Sequence, residues 1–306
     1  MTRWQRIILS GLLLSLGCAP NGHGDTTLEN AKVPSGADGG GEAIDDPPLG
    51  SGDGGVQPGC AGQTGSCYTV YAHADHVLYD IDLMGKTLHQ VGPFNAPKVG
   101  KDEDVITDLA VSPTGIIYVI SNTNLYTASP SDGHVTLIGA VTSCGSSAVA
   151  LTFMPDGNLY AADYKGAFCR IDISATPIQV TQVGMTGSGM AIAGDLVAVA
   201  DGTLYGTAYS LSDSKTASDN ILVKIDPATG QTKQVIGPTG FPKLFGISFA
   251  LGQVFGFTHD GSGDVVTIDP MSGKGTLFNS FNDPSTGKGI SFAGAGVNAM
   301  VSPTIN

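Results

Sequence analysis

Leu109-Ala110-Val111, Ser112-Pro113-Thr114-Gly115, Ile116-Ile117-Tyr118-Val119-Ile120, Asn122-Thr123-Asn124, Leu125-Tyr126-Thr127-Ala128, Ser131-Asp132-Gly133 and Val135-Thr136-Leu137-Ile138-Gly139 follow one another along one stretch of chain. Four runs of β-branched, aromatic and aliphatic residues alternate with three segments of Gly, Asp, Asn, Ser and Pro. That alternation predicts a four-stranded antiparallel meander with tight turns. The pattern then returns. Leu151-Thr152-Phe153, Pro155-Asp156-Gly157, Leu159-Tyr160-Ala161-Ala162 and Cys169-Arg170-Ile171-Asp172 form a second copy of it. Asp201-Gly202, Leu204-Tyr205-Gly206 and Val223-Lys224-Ile225-Asp226 form another, and Val254-Phe255-Gly256-Phe257 with Val266-Thr267-Ile268-Asp269 a further one.

Five glycines anchor the copies, Gly115, Gly157, Gly202, Gly252 and Gly296, at gaps of 42, 45, 50 and 44 residues. An aromatic stands three places on at Tyr118, Tyr160, Tyr205 and Phe255, with Ala299 as the exception. Repetition at this period marks units that bury their apolar faces only against one another. The ends of the repeat decide between a stack and a ring. The first copy begins at Tyr68-Thr69-Val70-Tyr71 with no leading strand, and the last stops short after Gly289 to Phe292, Gly296 and Val297 to Val301. A C-terminal strand that completes an N-terminal blade closes a ring and removes its open edges. The expectation is an all-β β-propeller of five four-stranded blades, or six if the tail contributes more than one strand.

Composition agrees. Charged residues are 13% of the chain and Gly numbers 44 of 306, which suits short packed strands and tight turns better than helices. Asp226-Pro227-Ala228-Thr229-Gly230 and Asp269-Pro270-Met271-Ser272-Gly273 carry hairpin chemistry: Asp caps, Pro presets φ and Gly accepts a positive φ. From Ala61 onward 11 Lys and Arg face 20 Asp and Glu, a net charge of −9, so nucleic acid and anionic lipid head groups are excluded as partners by repulsion.

Upstream of the repeats the chain reads differently. Arg3 and Arg6 precede an apolar run from Ile7 to Leu16, too short to span a bilayer, as in a secretory signal over residues 1–17. The run Leu14-Ser15-Leu16-Gly17-Cys18 resembles the lipobox of bacterial lipoproteins, although Ser15 stands where that family has Leu. The resemblance implies lipidation of Cys18 and a place in the cell envelope, at the outer membrane or cell surface; an ordinary signal cut nearby would leave a secreted protein. Residues 18–60, rich in Gly, Asp, Pro and Ser, bury too little to offset chain entropy, which predicts a disordered tether before a domain at 61–306. The four further cysteines suit an oxidising compartment, and the most local pairing is Cys60 with Cys67 and Cys144 with Cys169. No histidine stands at finger-like spacing from either pair.

The Asp-Gly-(Asn/Thr)-Leu-Tyr and (Lys/Arg)-Ile-Asp-Pro-x-Thr-Gly elements, Asp156-Gly157-Asn158-Leu159-Tyr160 and Lys224-Ile225-Asp226-Pro227-Ala228-Thr229-Gly230 among them, resemble exported bacterial propellers of the NHL and gluconolactonase-like kind over residues 67–303. The resemblance implies the fold. The acidic and Asn metal cage of the lactonases has no counterpart here, and Glu103 is the only glutamate of the domain.

Candidate chemistry is sparse. Asp195 and Asp201 are the aspartates available to a metal-assisted hydrolase or lyase at a channel mouth. His73 and His76, three apart, suit a polar turn better than a metal site. Ser188 lacks the spacing of a nucleophile elbow. Asp260, Ser262 and Asp264 alternate oxygens as a calcium loop begins, without its later Glu, at a place where a hairpin turn belongs. Asp102-Glu103-Asp104 and Asp108 read as a solvated loop. No other cofactor is implied. The lone Trp4 falls in the signal, and Tyr118, Tyr160 and Tyr205 read as inter-blade packing and not as sugar platforms. The expectation is thus a non-catalytic, monomeric binding or scaffold module for a protein or polysaccharide, touching membrane only through its lipid. Insertions at 93–107 and 208–220 mark where contacts belong.

Overall fold

The structure, a computed structural model, describes residues 69–141, 144–145, 147–187, 189–212 and 220–298. Among these every regular element is a strand. The first blade holds β1 (Thr69–Ala74), β2 (Val77–Asp82) and β3 (Thr87–Pro93), and a small hairpin of β4 (Lys98–Val99) and β5 (Asp102–Glu103) follows. The second blade is β6 (Ile106–Val111), β7 (Ile117–Ser121), β8 (Asn124–Ala128) and β9 (Val135–Ala140). The third is β10 (Ala148–Phe153), β11 (Leu159–Asp163), β12 (Ala167–Asp172) and β13 (Gln179–Met185). The fourth is β14 (Met190–Ala198), β15 (Leu204–Ser210), β16 (Ile221–Ile225) and β17 (Thr232–Pro238). The fifth is β18 (Leu244–Ala250), β19 (Gln253–Thr258), β20 (Asp264–Ile268) and β21 (Gly275–Ser280), and β22 (Gly294–Gly296) pairs antiparallel with β1. Each blade is a four-stranded sheet, and the innermost strands β22, β6, β10, β14 and β18 neighbour one another around an axis. The fold is a five-bladed β-propeller whose first blade is completed by a strand from the far end of the chain.

Closure differs in detail from the sequence expectation. Gly115, Gly157, Gly202 and Gly252 turn the chain from the innermost to the second strand at φ of 87°, 85°, 83° and 72°, which glycine adopts without a Cβ penalty. Gly296 is not their equivalent: it lies inside β22, opposite Tyr71. The register makes it the counterpart of Ala110, which faces Tyr118, Thr152, which faces Tyr160, and Ser248, which faces Phe255. The aromatic series therefore runs through all five blades, with Tyr71 as the missing member and Ala299 irrelevant to it. Closure uses Gly294 to Gly296, where small-residue backbone fits between His73, Asp108 and Leu109. A Cβ on Gly294 would stand 2.2 Å from Asp108 Oδ1, and one on Gly296 would stand 2.6 Å from Leu109 Cδ1.

Four apolar clusters fill the seams. Leu78, Phe94, Leu109 and Tyr126 pack between the first and second blades, and Leu151, Phe153 and Ile171 with Ile120 and Leu125 between the second and third. Phe168, Ile192, Leu196 and Val223 join the third and fourth, while Phe255, Phe257 and Phe292 with Tyr79 and Ile81 close the fifth onto the first. Each such side chain contributes about 1.5–3 kcal/mol when fully buried. The repeat aromatics serve this packing as expected: Tyr118 meets Phe153 of the next blade edge-on at 5.1 Å. Cys144, in the connection from β9 to β10, is disulfide-bonded to Cys169 on β12. Cys18, Cys60, Cys67 and Ser188 lie outside the described residues, as does the whole segment before Thr69.

Candidate functional site

Strand direction alternates within a blade, so the connections fall into two sets. The glycine turns from first to second strand, and those from third to fourth, lie on one face, here the anchor face. The links from second to third strand and those between blades lie on the opposite loop face. The β4–β5 hairpin between the first two blades sits on the loop face, and the described ends of the second insertion, Leu211 and Asn220 between β15 and β16, open on that same face; residues 213–219 lie outside the described residues. The chain enters β1 and leaves β22 on the anchor face, where Asn298 Nδ2 donates to Pro113 O at 3.1 Å.

The hairpin is pinned. Glu103 Oε1 accepts from Ala96 N at 2.8 Å. Asp104 Oδ2 accepts from Ser121 Oγ at 2.7 Å, Asn124 Nδ2 at 2.9 Å and Tyr126 Oη at 2.7 Å. Burial and this bond to Asp104 push the Tyr126 phenol well above its ordinary value. Asp104 is thus buried, a correction to the solvated loop expected for 102–104, because three donors from the second blade need one acceptor. Asp102 remains exposed at the hairpin tip. Val99 is 49% exposed there, and Leu211, at the edge of the second insertion, is 60% exposed. Tyr164 is also exposed on this face, with Tyr209 Oη donating to its carbonyl at 3.1 Å.

The axis is closed. Asp108, Ala150, Asp195, Gly246 and Gly294 occupy equivalent positions on the five innermost strands, two acids among three small residues. One step along, the amides of Leu109, Leu151, Leu196, Ile247 and Ala295 have no neighbouring strand to bond. The two carboxyls take all five. Asp108 Oδ2 accepts from Leu151 N at 2.6 Å, and Asp108 also accepts from Leu109 N. Asp195 Oδ1 accepts from Leu196 N at 2.5 Å, and its Oδ2 from Ile247 N at 2.7 Å and Ala295 N at 3.4 Å. Both side chains are fully buried, and desolvation raises both carboxyls above their ordinary range. Asp108 is the second correction to the solvated reading. The shared place of Asp108 and Asp195, each seven residues before an anchor glycine, was visible in the sequence.

The remaining candidates disperse. Asp201 lies in an anchor-face turn, its Oδ1 accepting from Thr203 N at 2.8 Å, far from the buried role of Asp195. His73 is in β1 and fully buried against Phe94, while His76 stands in the following turn, 3.8 Å from Glu103 Oε2. Burial, then the charge of His259, pushes His73 down to about 3, so its ring is neutral. Asp260 Oδ1 accepts from Ser262 Oγ at 2.6 Å and Ser262 N at 3.0 Å, and the hydroxyl bond lowers its carboxyl from the ordinary value. Asp264 Oδ1 accepts from Ser280 Oγ at 2.5 Å, so the three oxygens of the calcium candidate are engaged in turn and strand bonds. Among the described residues no three His, Cys, Asp or Glu side chains gather as a metal cluster.

Several solved structures are similar to this chain at low identity. One is a structural genomics protein of unknown function from Bacteroides thetaiotaomicron VPI-5482, with 15% identity and a TM-score of 0.46, over 74% of this chain and 59% of that one. A protein of unknown function from Bacteroides caccae matches with 13% identity and a TM-score of 0.37, over 68% and 71%. The Dos1 propeller matches with 15% identity and a TM-score of 0.38, over 68% and 57%. The chain therefore spans about 59% of the length of the first of these. No curated protein matches it. A family model described as a repeat of unknown function matches residues 110–288.

Proposed function

We propose that this chain, which belongs to the DUF6923 repeat family, is a binding or scaffold module that offers the loop face of its propeller to a protein or polysaccharide. One observation carries this reading: the β4–β5 hairpin and the described ends of the longer β15–β16 link open on the same face, opposite the one where the chain enters and leaves the ring. Insertions on a rigid scaffold are where recognition residues collect. The hairpin is held by Asp104 and Glu103, so its exposed tip meets a partner with little ordering cost.

A lipid on Cys18 and a loose spacer over residues 18–60 would hold the domain in the cell envelope as a monomer. Entry of the chain on the anchor face would leave the loop face free to engage a partner. The resemblance to NHL and gluconolactonase-like propellers enters this reading through the fold alone. A hydrolase or lyase built on channel-mouth aspartates finds no support in this geometry, because Asp195 spends both oxygens on backbone amides and Asp201 closes a turn.

The test immobilises the full chain and presents envelope polysaccharides and envelope proteins in separate arms, with lactone and glycoside panels run alongside, with and without EDTA. Retention of one class, lost on charging the loop face, supports the reading. Turnover in either panel, or retention indifferent to the loop face, overturns it.

A further inference from the structure

The geometry points to a single proton held on Asp108 and donated to Asp195 across the propeller axis, making ring closure sensitive to pH. Asp108 Oδ1 is fully buried and, as an ionised oxygen, has no hydrogen-bond partner. A bare carboxylate oxygen in that place carries the full cost of desolvation. It faces the Asp195 carboxylate, and two ionised carboxylates in contact repel. A proton on Asp108 Oδ1 resolves both problems in one bond.

The two acids are not interchangeable. Asp195 receives amides on both oxygens, Leu196 N on Oδ1 and Ile247 N and Ala295 N on Oδ2, so neither has room to donate. Asp108 receives Leu151 N on Oδ2 and the amide of its own neighbour Leu109, while its Oδ1 is buried without a partner. Hence, when the pair holds one proton, Asp108 is the acid that carries it. The groups around the pair are few. His73 of β1 turns Nε2 toward the space beside Gly294 that Asp108 Oδ1 borders. Thr207 Oγ1 of β15 accepts from Asp195 N at 3.3 Å. From β10, β18 and β22 the amides of Leu151, Ile247 and Ala295 bond the pair. His76 and His259 act on His73 and lie beyond it.

Ring closure runs through this pair. Asp108 joins the second blade to the third, and Asp195 joins the fourth to the fifth and to the closing strand. The sign follows from linkage. The unfolded chain releases the Asp108 proton in the ordinary carboxylate range, and the folded ring keeps it to higher pH. Stability therefore falls as pH climbs through that interval.

Asp108→Asn reproduces the protonated acid: its carbonyl accepts amides and its NH2 donates to Asp195. Asp195→Asn cannot, since one carbonyl must then replace two acceptors. Thermal melting of the full chain is followed from pH 6 to pH 9, with infrared detection of a neutral carboxyl band at pH 7. Native protein should lose about 5 °C or more over that range. Asp108→Asn should stay flat and melt above native protein at pH 9, and Asp195→Asn should melt lower at every pH. A native pH slope retained in Asp108→Asn, or a missing neutral carboxyl band in native protein, overturns the proposal. Should Asp195→Asn fail to fold, those two measurements still decide.

Discussion

Tyr79 Oη donates to Asp283 Oδ2 at 2.5 Å, joining residues 204 positions apart. Tyr79 lies on β2, in the first blade, and Asp283 in the connection from β21 to β22, so the bond fastens the segment that delivers the closing strand. Asp283 also accepts from Ser285 N at 2.9 Å and Thr286 N at 2.8 Å, and Gly287 follows at φ 69°. This is the same Asp-Pro-x-Thr/Ser-Gly chemistry that turns the blades, used here to shape a link.

Tyr79→Phe should lower stability by about 1–2 kcal/mol, the worth of a hydrogen bond to a charged group in a half-buried place. It should also soften acid sensitivity. The Ser285 hydroxyl, then Tyr79, holds the Asp283 carboxyl well below its ordinary value. That stabilisation is complete above the ordinary carboxylate range and disappears as pH falls below it. Urea titrations at pH 7 and pH 3 check both: the gap between native protein and variant should narrow at the lower pH.

Gly294→Ala should cost about 2–4 kcal/mol, because its Cβ meets both Asp108 Oδ1 and, at 2.8 Å, His73 Nε2, with packed backbone behind them. Gly202→Ala is the contrast. Nothing lies within 4 Å of its Cβ and only the φ of 83° opposes it, so about 1 kcal/mol is expected. Equal midpoints for the two variants in urea would contradict the crowding assigned to the closing strand.

Cys144→Ser with Cys169→Ser should lower stability by about 3 kcal/mol, the loop entropy of a separation of 25 residues. Calorimetry of native protein with and without reductant should show a shift in the same direction. Because the bond lies within one blade and its incoming link, the propeller should still form.

Val99→Asp combined with Leu211→Asp should abolish partner retention while leaving the melting temperature within about 2 °C, as both side chains face solvent. Met271→Asp, at a more exposed place on the anchor face, should leave retention unchanged. Binding measured on immobilised chain distinguishes the two faces directly.

The architecture was legible because blade strands advertise themselves locally. Ile117 to Ile120 form a short run of β-branched and aromatic residues, and Asp226 to Gly230 announce their turn without help from distant residues. Closure was legible in outline, since the first copy of the repeat reads without a leading strand. Its register was not: Gly296 matches the repeat spacing by coincidence, and only the pairing with Tyr71 reveals its place. The axial role of Asp108 and Asp195 depends on amides from three other blades, up to a hundred residues away, which no local pattern records. Asp104 escaped for a similar reason. An acid in a run of acids reads as solvated until Ser121, Asn124 and Tyr126 are brought to it.

The seam between β1 and β22 has a consequence for biogenesis. As the polypeptide is synthesised, four blades have all their strands before residue 281 emerges, yet the opening sheet waits with one lip bare until Gly294 to Gly296 arrive. A nascent product halted in that interval would carry an unpaired edge resembling those that recruit chaperones or seed aggregates.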